Sequence, residues 1–563
     1  MESRNHENGA KPKSHTSRKI SKNYPMKKFL MSTMILCIIG CNLIGQQLVK
    51  DINPFSNSSD PKYITDVNGI AYFEADDGTH GPQLWRSDGT ENGTYMVKDI
   101  CATGSSNPQN LINVNGLLFF TASSDAITGQ ELWRSDGTET GTYMVKDICS
   151  EPSCGSDPEF LTNVNETLFF VAMDTIAQDG PSFYYPYKSD GTATGTVCVK
   201  NVGTNISMDF DNCHIEELPR GCHNLINANG TLYFTDYLEQ DLWKSDGTNV
   251  GTQMVISFPS YYISSLTNIN GVVFFVINDG YSSSQLWKTD GTTAGTVEIT
   301  DNFGNHISSA SHLINFNGSL FFSANDNGYS QTIRLWKSDG TPGGTSILYN
   351  GNTSPCNLTC GNSTLFFIAN DGSNQKLWKT DGTISGTIPL SKPIYTSDND
   401  NTVCISGIFY FVASDSTHGP ELWKSDGTVS GTNRIAVINQ SDSSSGSNPN
   451  YLANVNNSLY FSADDGIHGI ELWKYRTLGG IENKTEINLV NIFPNPSGGT
   501  FSIELQNFDN TRVEILGTNG QVLNCFPLNA SRTRVNISNL SKGMYFIKII
   551  SQERIDVQKI ILE

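Results

Sequence analysis

Charge is scarce in this chain. Asp, Glu, Lys and Arg make up 16% of its 563 residues, and the basic residues are outnumbered 36 to 56, which leaves a formal net charge of −20. A surface of that sign repels phosphate backbones and anionic headgroups, so nucleic acid is excluded as a partner, while divalent cations or a cationic surface stay open. Catalytic signatures are missing as well. No G-x-S-x-G, H-E-x-x-H or phosphate-binding loop occurs, so no nucleophile elbow, zinc-protease helix or nucleotide cradle can be placed. Tryptophan is sparse, with eight residues in all. Gly (51), Phe (28) and Tyr (21) are abundant, as in a turn-rich, all-β protein.

All the tryptophans stand in one phrase, ELWKSDGTxxGT. QLWRSDGTENGTYMVKDI at 83–100 is repeated almost verbatim as ELWRSDGTETGTYMVKDI at 131–148. Aligning the copies puts Trp85, Trp133, Trp243, Trp287, Trp336, Trp378, Trp423 and Trp473 in register, with Tyr187 in the Trp place of the third copy. Recurrence every 42 to 56 residues or so points to a modular architecture. Each unit reads as four short strands. Asn-Gly ends the first, as at Asn115-Gly116 and Asn270-Gly271, supplying the two positive-φ residues of a tight hairpin. An apolar second strand such as LLFFTA follows, then a turn rich in Asp-Gly, the ELWKS strand, the SDGT turn and a fourth strand of the type TYMVKDI. The apolar runs do not alternate, so both faces of these strands are expected to be buried, as in sheets stacked around an axis.

The ninth copy stops at ELWKYRTLGG without a fourth strand, while the N-terminal stretch QLVKDI at 47–52 matches the fourth-strand pattern. The two fragments add up to one blade, which an open solenoid would not need and a closed ring uses to hide its edges. The expected fold is therefore an all-β propeller of nine four-stranded repeats, or eight if the third copy is aberrant, closed by an N-terminal strand over 46–475. A small C-terminal β-sandwich follows.

The residues inside the phrase receive structural roles. Trp is the expected wedge between blades, since burying a side chain of that size contributes several kcal/mol at about 25 cal/mol per Å². Asp88, Asp136, Asp190, Asp246, Asp290, Asp339, Asp381 and Asp426 of SDGT could be taken for a ring of calcium sites, but Asp more readily accepts amide hydrogen bonds within its own turn. Calcium stays the only cofactor in view. His80, His418 and His468 each stand five residues before Trp, at a repeat position, and so form no converged catalytic set. Cys149 with Cys154, Cys213 with Cys222, and Cys356 with Cys360 are spaced closely enough for small-loop disulfides in an oxidising compartment, and share no zinc-ligand spacing.

The ends of the chain carry addresses. From Met26, MKKFLMSTMILCIIGCNLIGQQ has the charged, apolar and polar parts of a secretory signal over 26–45. Residues 1–25 read as a disordered extension or a mis-assigned start. Cleavage near Gly45 is preferred over lipidation at Cys41, although Ile38-Ile39-Gly40-Cys41 resembles a lipobox. After a linker at 476–487, residues 488–563 read as short alternating strands with turns at Asn495-Pro496, Asn519-Gly520 and Lys542-Gly543.

Three resemblances follow from these residues. The Ser, Asp, Gly and Trp hairpin resembles the Asp-box of sialidase propellers, which is mainly structural there. Copies of ELWKSDGTxxGT resemble the ELWxxDGT repeat of secreted bacterial proteins, found largely in the Bacteroidetes. That likeness implies architecture and exposure but no activity. FPNP (Phe493, Pro494, Asn495, Pro496), the turn at Gly520, the strand LSKGMYFIKI with Gly543 and Tyr545, and the closing Lys559-Ile560-Ile561 resemble the type A C-terminal sorting domain of the type IX secretion system. Gly517-Thr518 departs from that domain's more usual Tyr-Asp wording. The likeness implies export to the cell surface or medium, recognition by the type IX machinery, cleavage of the domain, and release of the cargo or its attachment to surface lipopolysaccharide. Two function classes remain: a non-enzymatic adhesion or binding protein for an unknown glycan or protein, and an extracellular hydrolase or lyase acting on polysaccharide or protein. Fold alone does not choose between them.

Overall fold

The computed structural model describes residues 45–476 apart from 103, 125–128, 150–154, 175–182, 201–222, 237–238, 280–283, 326–331, 350, 352, 362, 392–393, 395–400, 416, 436 and 440–444. It also describes 490–563 apart from 494, 506–511, 518–520, 529, 531 and 551–554. Two compact units emerge, one within Ile44–Ile487 and the other holding Asn488–Glu563.

Within the first unit, the described residues form nine four-stranded antiparallel sheets. Blade 1 comprises Lys62–Val67, Ile70–Asp76, Pro82–Ser87 and Tyr95–Lys98, ordered from the axis outward. Blades 2 to 8 begin with the innermost strands Gln109–Val114, Glu159–Val164, His223–Ala228, Tyr262–Ile269, Ser311–Phe316, Thr353–Cys360 and Thr402–Ile405. Blade 9 joins Asn450–Val455, Ser458–Asp464 and Ile470–Tyr475 to the N-terminal strand Gln46–Lys50. Leu48 lies opposite Trp473 and Gln47 opposite Lys474. Each innermost strand approaches the next within 8 Å between Cα atoms, and the ninth approaches the first, so the ring is closed. The third copy, suspected of being aberrant, is a regular blade with Tyr187 stacked on Phe170 at 5.7 Å.

The repeated words have local causes. Asn68 and Gly69 both take positive φ (54° and 83°), as do Asn115 and Gly116 (52° and 80°), which gives a hairpin whose twist matches its strands. The second strand is buried along nearly all its length, for instance Leu118, Phe119 and Phe120. Trp85 packs with Phe73 of its own blade and with Val49, Tyr460 and Leu472 of blade 9, and Trp133 sits likewise between blades 1 and 2. The base of the ELWKS strand stitches each blade to the next. Lys188 Nζ donates to Gly247 O at 2.8 Å, Lys244 Nζ to Gly291 O at 2.8 Å and Arg134 Nη1 to Gly191 O at 3.1 Å. The lysine of VKD adds a second stitch, as in Lys98 Nζ to Thr142 O at 2.8 Å.

The C-terminal unit pairs a three-stranded sheet (Val490–Phe493, Thr500–Leu505, Arg532–Asn536) with a four-stranded one whose central strands are Arg512–Leu516 and Gly543–Ile550. Phe501, Ile503, Val513, Ile515, Ile547 and Ile560 fill the space between them. Asn495 of FPNP holds the last strand: its Nδ2 donates to Lys559 O at 2.7 Å and its Oδ1 accepts from Ile561 N at 3.0 Å. The Tyr545 hydroxyl donates to Ser541 O at 2.6 Å. Pro494 and Gly520 lie outside the described residues.

Candidate functional site

Antiparallel order sends the turns of each blade to two opposite faces. The Asn-Gly and SDGT turns share one face. The turns between second and third strands, and the connectors from blade to blade, share the other.

The SDGT face is occupied by its own scaffold. Asp88 Oδ1 accepts from Thr90 N at 2.9 Å and Thr90 Oγ1 at 2.7 Å, and the Ser87 and Thr94 hydroxyls bond across the loop at 2.7 Å. Asp136, Asp190, Asp246, Asp290, Asp339, Asp381 and Asp426 repeat the carboxylate contact, and their pKa values are held below the usual carboxylate range by the bonds from that Thr hydroxyl and amide. The second glycine of DGTxxGT is fixed by the same carboxylate: a Cβ on Gly93 would lie 2.0 Å from Asp88 Oδ1. Among the described residues no group of three or more His, Cys, Asp or Glu is placed to hold a metal ion.

The loop face has a clamp that runs through only part of the ring. At four consecutive junctions, from blade 8 round to blade 3, the connector ends in Ser-Asx-Pro (59–61, 106–108, 156–158 and 447–449), and the Asx takes a positive φ of 46°, 43°, 39° and 46° in Asp60, Asn107, Asp157 and Asn448. The residue before Leu-Trp in the preceding blade grips that connector. Glu471 accepts from Ile52 N (3.0 Å), Asn53 N (3.3 Å), Ser59 N (3.1 Å) and Ser59 Oγ (2.6 Å). Glu131 does so through Ser156 N and Oγ, Glu421 through Ser447 Oγ, and Gln83 through Ile100 N and Ser106 Oγ. Burial pushes the carboxyls of Glu131 and Glu471 up to about 7 against these bonds.

The channel mouth on this face collects the residues that depart from the repeat. Each clamped connector delivers the chain to a bulge at the second position of the innermost strand, where the residue has positive φ: Tyr451 (53°), Tyr63 (57°), Asn110 (53°) and Phe160 (53°). Tyr63 and Tyr451 meet edge to face at 5.6 Å across the seam between blades 9 and 1. Beside them, Lys62 Nζ bonds Glu74 Oε1 at 3.1 Å. Glu74 is an acid in a strand where the sister blades carry residues such as Thr121, Val171 and Ser323. Burial raises the Glu74 pKa against the Lys62 bond, while that same bond raises Lys62 against its own desolvation. Burial also raises Tyr451, with Tyr63 and Glu74 adding to it against Lys62. On blade 3, burial and then Asp157 and Glu159 push Tyr184 up to about 12.

The histidines stay in their own turns, His80 on Asp77 at 2.8 Å, His418 on Asp415 at 3.0 Å and His468 on Asp465 at 2.7 Å, on three different blades. One expected disulfide is corrected. Cys360 is a thiol whose Sγ donates to Asn315 O at 3.0 Å. It shares the strand Thr353–Cys360 with Cys356, and their partners Leu365 and Ile368 are three residues apart on the next strand, which puts the two Cα atoms on the order of 10 Å apart, beyond the reach of a cystine. Cys149 is disulfide-bonded, while Cys154, Cys213 and Cys222 lie outside the described residues, as do all but the last residue of the expected signal at 26–45. Neither the Ser-Asx-Pro clamp nor the bulge residue follows from the repeat phrase. The first was visible as a motif in four connectors, whereas nothing in residue identity marks the second.

Among the described residues no helix is long and apolar enough to cross a membrane. No curated protein matches the chain. Among solved structures it is similar to PorZ, an essential bacterial surface component of the type-IX secretion system of Porphyromonas gingivalis, at 12% identity over 89% of this chain and 86% of that one, with a TM-score of 0.28. It is similar to the β-propeller domain of the Trilobed protease from Pyrococcus furiosus at 14% identity over 62% and 98% of the two chains (TM-score 0.29). A puromycin hydrolase shares 13% identity over 74% of this chain and 60% of its own (TM-score 0.37). Residues 491–563 match the secretion system C-terminal sorting domain family, and the protein that carries this type IX sorting domain is secreted or attached to the outer-membrane surface.

Proposed function

We propose that the propeller is a non-enzymatic adhesion or binding protein of the ELWxxDGT-repeat type, and that it presents its ligand site at the channel mouth of the loop face. One observation carries this reading. The repeated Trp, Asp, Lys and His residues are occupied within turns, wedges and stitches, while the non-repeating side chains Tyr451, Tyr63 and Glu74 stand together on blades 9 and 1, with Phe160 on the same face of blade 3. On this reading the export machinery recognises residues 488–563 and removes them, and the propeller is released or joined to surface lipopolysaccharide.

A hydrolase or lyase is the second reading, favoured by Glu74, a buried carboxylate without counterpart at that position in the other blades. Its pairing with Lys62 weakens that case, because an acid held in an ion pair is not poised to exchange protons. Full-length protein applied to glycan and peptide arrays should retain ligand, and it should lose that ligand in Tyr63→Ala/Tyr451→Ala while Glu74→Gln still binds. Turnover of a retained ligand that Glu74→Gln abolishes would instead establish the enzyme.

A further inference from the structure

We propose that the Tyr451–Tyr63 pair and, beyond Asn110 of blade 2, Phe160 make a docking site for a cationic peptide segment, one rich in Lys or Arg. The inference rests on the binding reading above and names the chemistry of the partner. Its first support is where these side chains stand. Equivalent bulge positions in blades 2, 4, 5 and 6 hold Asn110, Asn224, Ser265 and His312, polar residues that suit the position. Bulky aromatics fit positive φ poorly, yet they fill the position in blades 9, 1 and 3. The core does not require them there: Phe160 is 40% exposed, and Tyr63 and Tyr451 are only half-buried, resting on each other.

Charge supplies the second support and selects the occupant. Asp60 lies close enough to Tyr451, Lys62 and Glu74 to bear on all three ionisations, and Asp157 and Glu159 bracket Phe160 in the chain. Lys62, beside the tyrosine pair, is neutralised by Glu74 at 3.1 Å. The mouth is therefore acidic on a chain of net charge −20. An ammonium or guanidinium group is attracted both to an aromatic face and to a carboxylate next to it. A neutral sugar would stack on the rings without drawing on the charge of Asp60 and Asp157, and an anionic one would be repelled. The site runs over three inner-strand steps, a chord on the order of 20 Å, which about six residues of extended peptide cover.

The test uses the full chain, fluorescence anisotropy, and two labelled probes, hexalysine and a neutral glucose hexasaccharide, across a salt titration. Hexalysine should bind at low salt and weaken as salt rises. Affinity should fall at least tenfold in Tyr63→Ala/Tyr451→Ala/Phe160→Ala and severalfold in Asp60→Asn/Asp157→Asn, whose replacements already occupy the same turn in sister connectors. Tyr63→Phe/Tyr451→Phe, which keeps the rings, should bind like the parent. Asp136→Asn/Asp190→Asn, which removes equal charge from the opposite face, should also leave binding unchanged. Equal losses on both faces, or hexalysine binding indifferent to the aromatic variants, would overturn the proposal. Hexasaccharide binding lost in the same aromatic variants would overturn the cationic assignment while leaving the binding function standing.

Discussion

The junctions from blade 8 round to blade 3 and the junctions that complete the ring are made from the same strands, yet they hold their connectors differently. The first set uses a buried Glu or Gln to grip a Ser-Asx-Pro turn. In the second set the same strand position carries Tyr185, Asp241, Gln285, Arg334 or Lys376, and the connectors run from 199–222, the longest, to 350–352, the shortest. The clamped arc includes the seam where the chain ends meet, and the aromatic mouth residues stand on it. A ring assembled from near-identical units thus confines its connector clamp and its aromatic bulge residues to one sector.

This contrast can be broken most severely at the seam. Glu471→Ala strips the acceptor from four hydrogen bonds in a buried site; Ser59 N keeps Ile470 O, and each of the three donors left unpaired costs about 1–3 kcal/mol, so unfolding stability should fall by several kcal/mol. Lys376→Ala, at the equivalent position of the open arc, breaks only a partly exposed ion pair with Asp371 and should cost about 1 kcal/mol or less. Thermal or denaturant melts of the two variants compare the arcs directly, and equal losses would erase the distinction.

The next effect belongs to both arcs alike. Gly93→Ala, Gly141→Ala or Gly386→Ala drives a methyl into the Asp carboxylate of the turn, at 2.0 to 2.1 Å, and should destabilise by about 1–3 kcal/mol wherever it is made. A mutant melt that left Gly386 tolerant and Gly93 intolerant would mean that the turns are not equivalent.

Protonation offers another way to sharpen the contrast. Glu131 and Glu471 titrate near 7 in the fold against about 4.5 in the unfolded chain, so the folded state holds their protons more tightly. Their contribution is fully present below about pH 4.5 and is lost as pH rises through 7. Glu131→Gln/Glu471→Gln should flatten the pH dependence of stability between those limits. Gln83 already holds the equivalent place with a side chain that does not titrate. Urea melts from pH 4.5 to 7.5 in which wild type and the double variant kept the same slope would remove the carboxyls from the account.

Much of this was legible in the sequence because repetition writes the same constraint many times. The Asn-Gly hairpins, the SDGT turns, the apolar second strands and the strand shared by both termini each follow from local chemistry that any one copy displays, and the FPNP and LSKGMYF phrases announce the sorting domain. The clamp was harder to read. Ser59 and Glu471 are 412 residues apart in the chain, and the pattern recurs at only part of the ring, so averaging over copies hides it. The bulge position was invisible, since a backbone angle is shared while Tyr63, Asn110, Phe160 and His312 have no side-chain chemistry in common. The close spacing of Cys356 and Cys360 misled because it was read as a loop, whereas both residues lie along one strand.

Closure of the ring by the two chain ends is tested most directly by cross-linking Gln47→Cys with Lys474→Cys, residues that face each other across the seam. The structure predicts an intramolecular disulfide under mild oxidation and a rise in melting temperature on its formation. Two thiols that stay open to alkylation in the folded protein, with no change in melting, would contradict it.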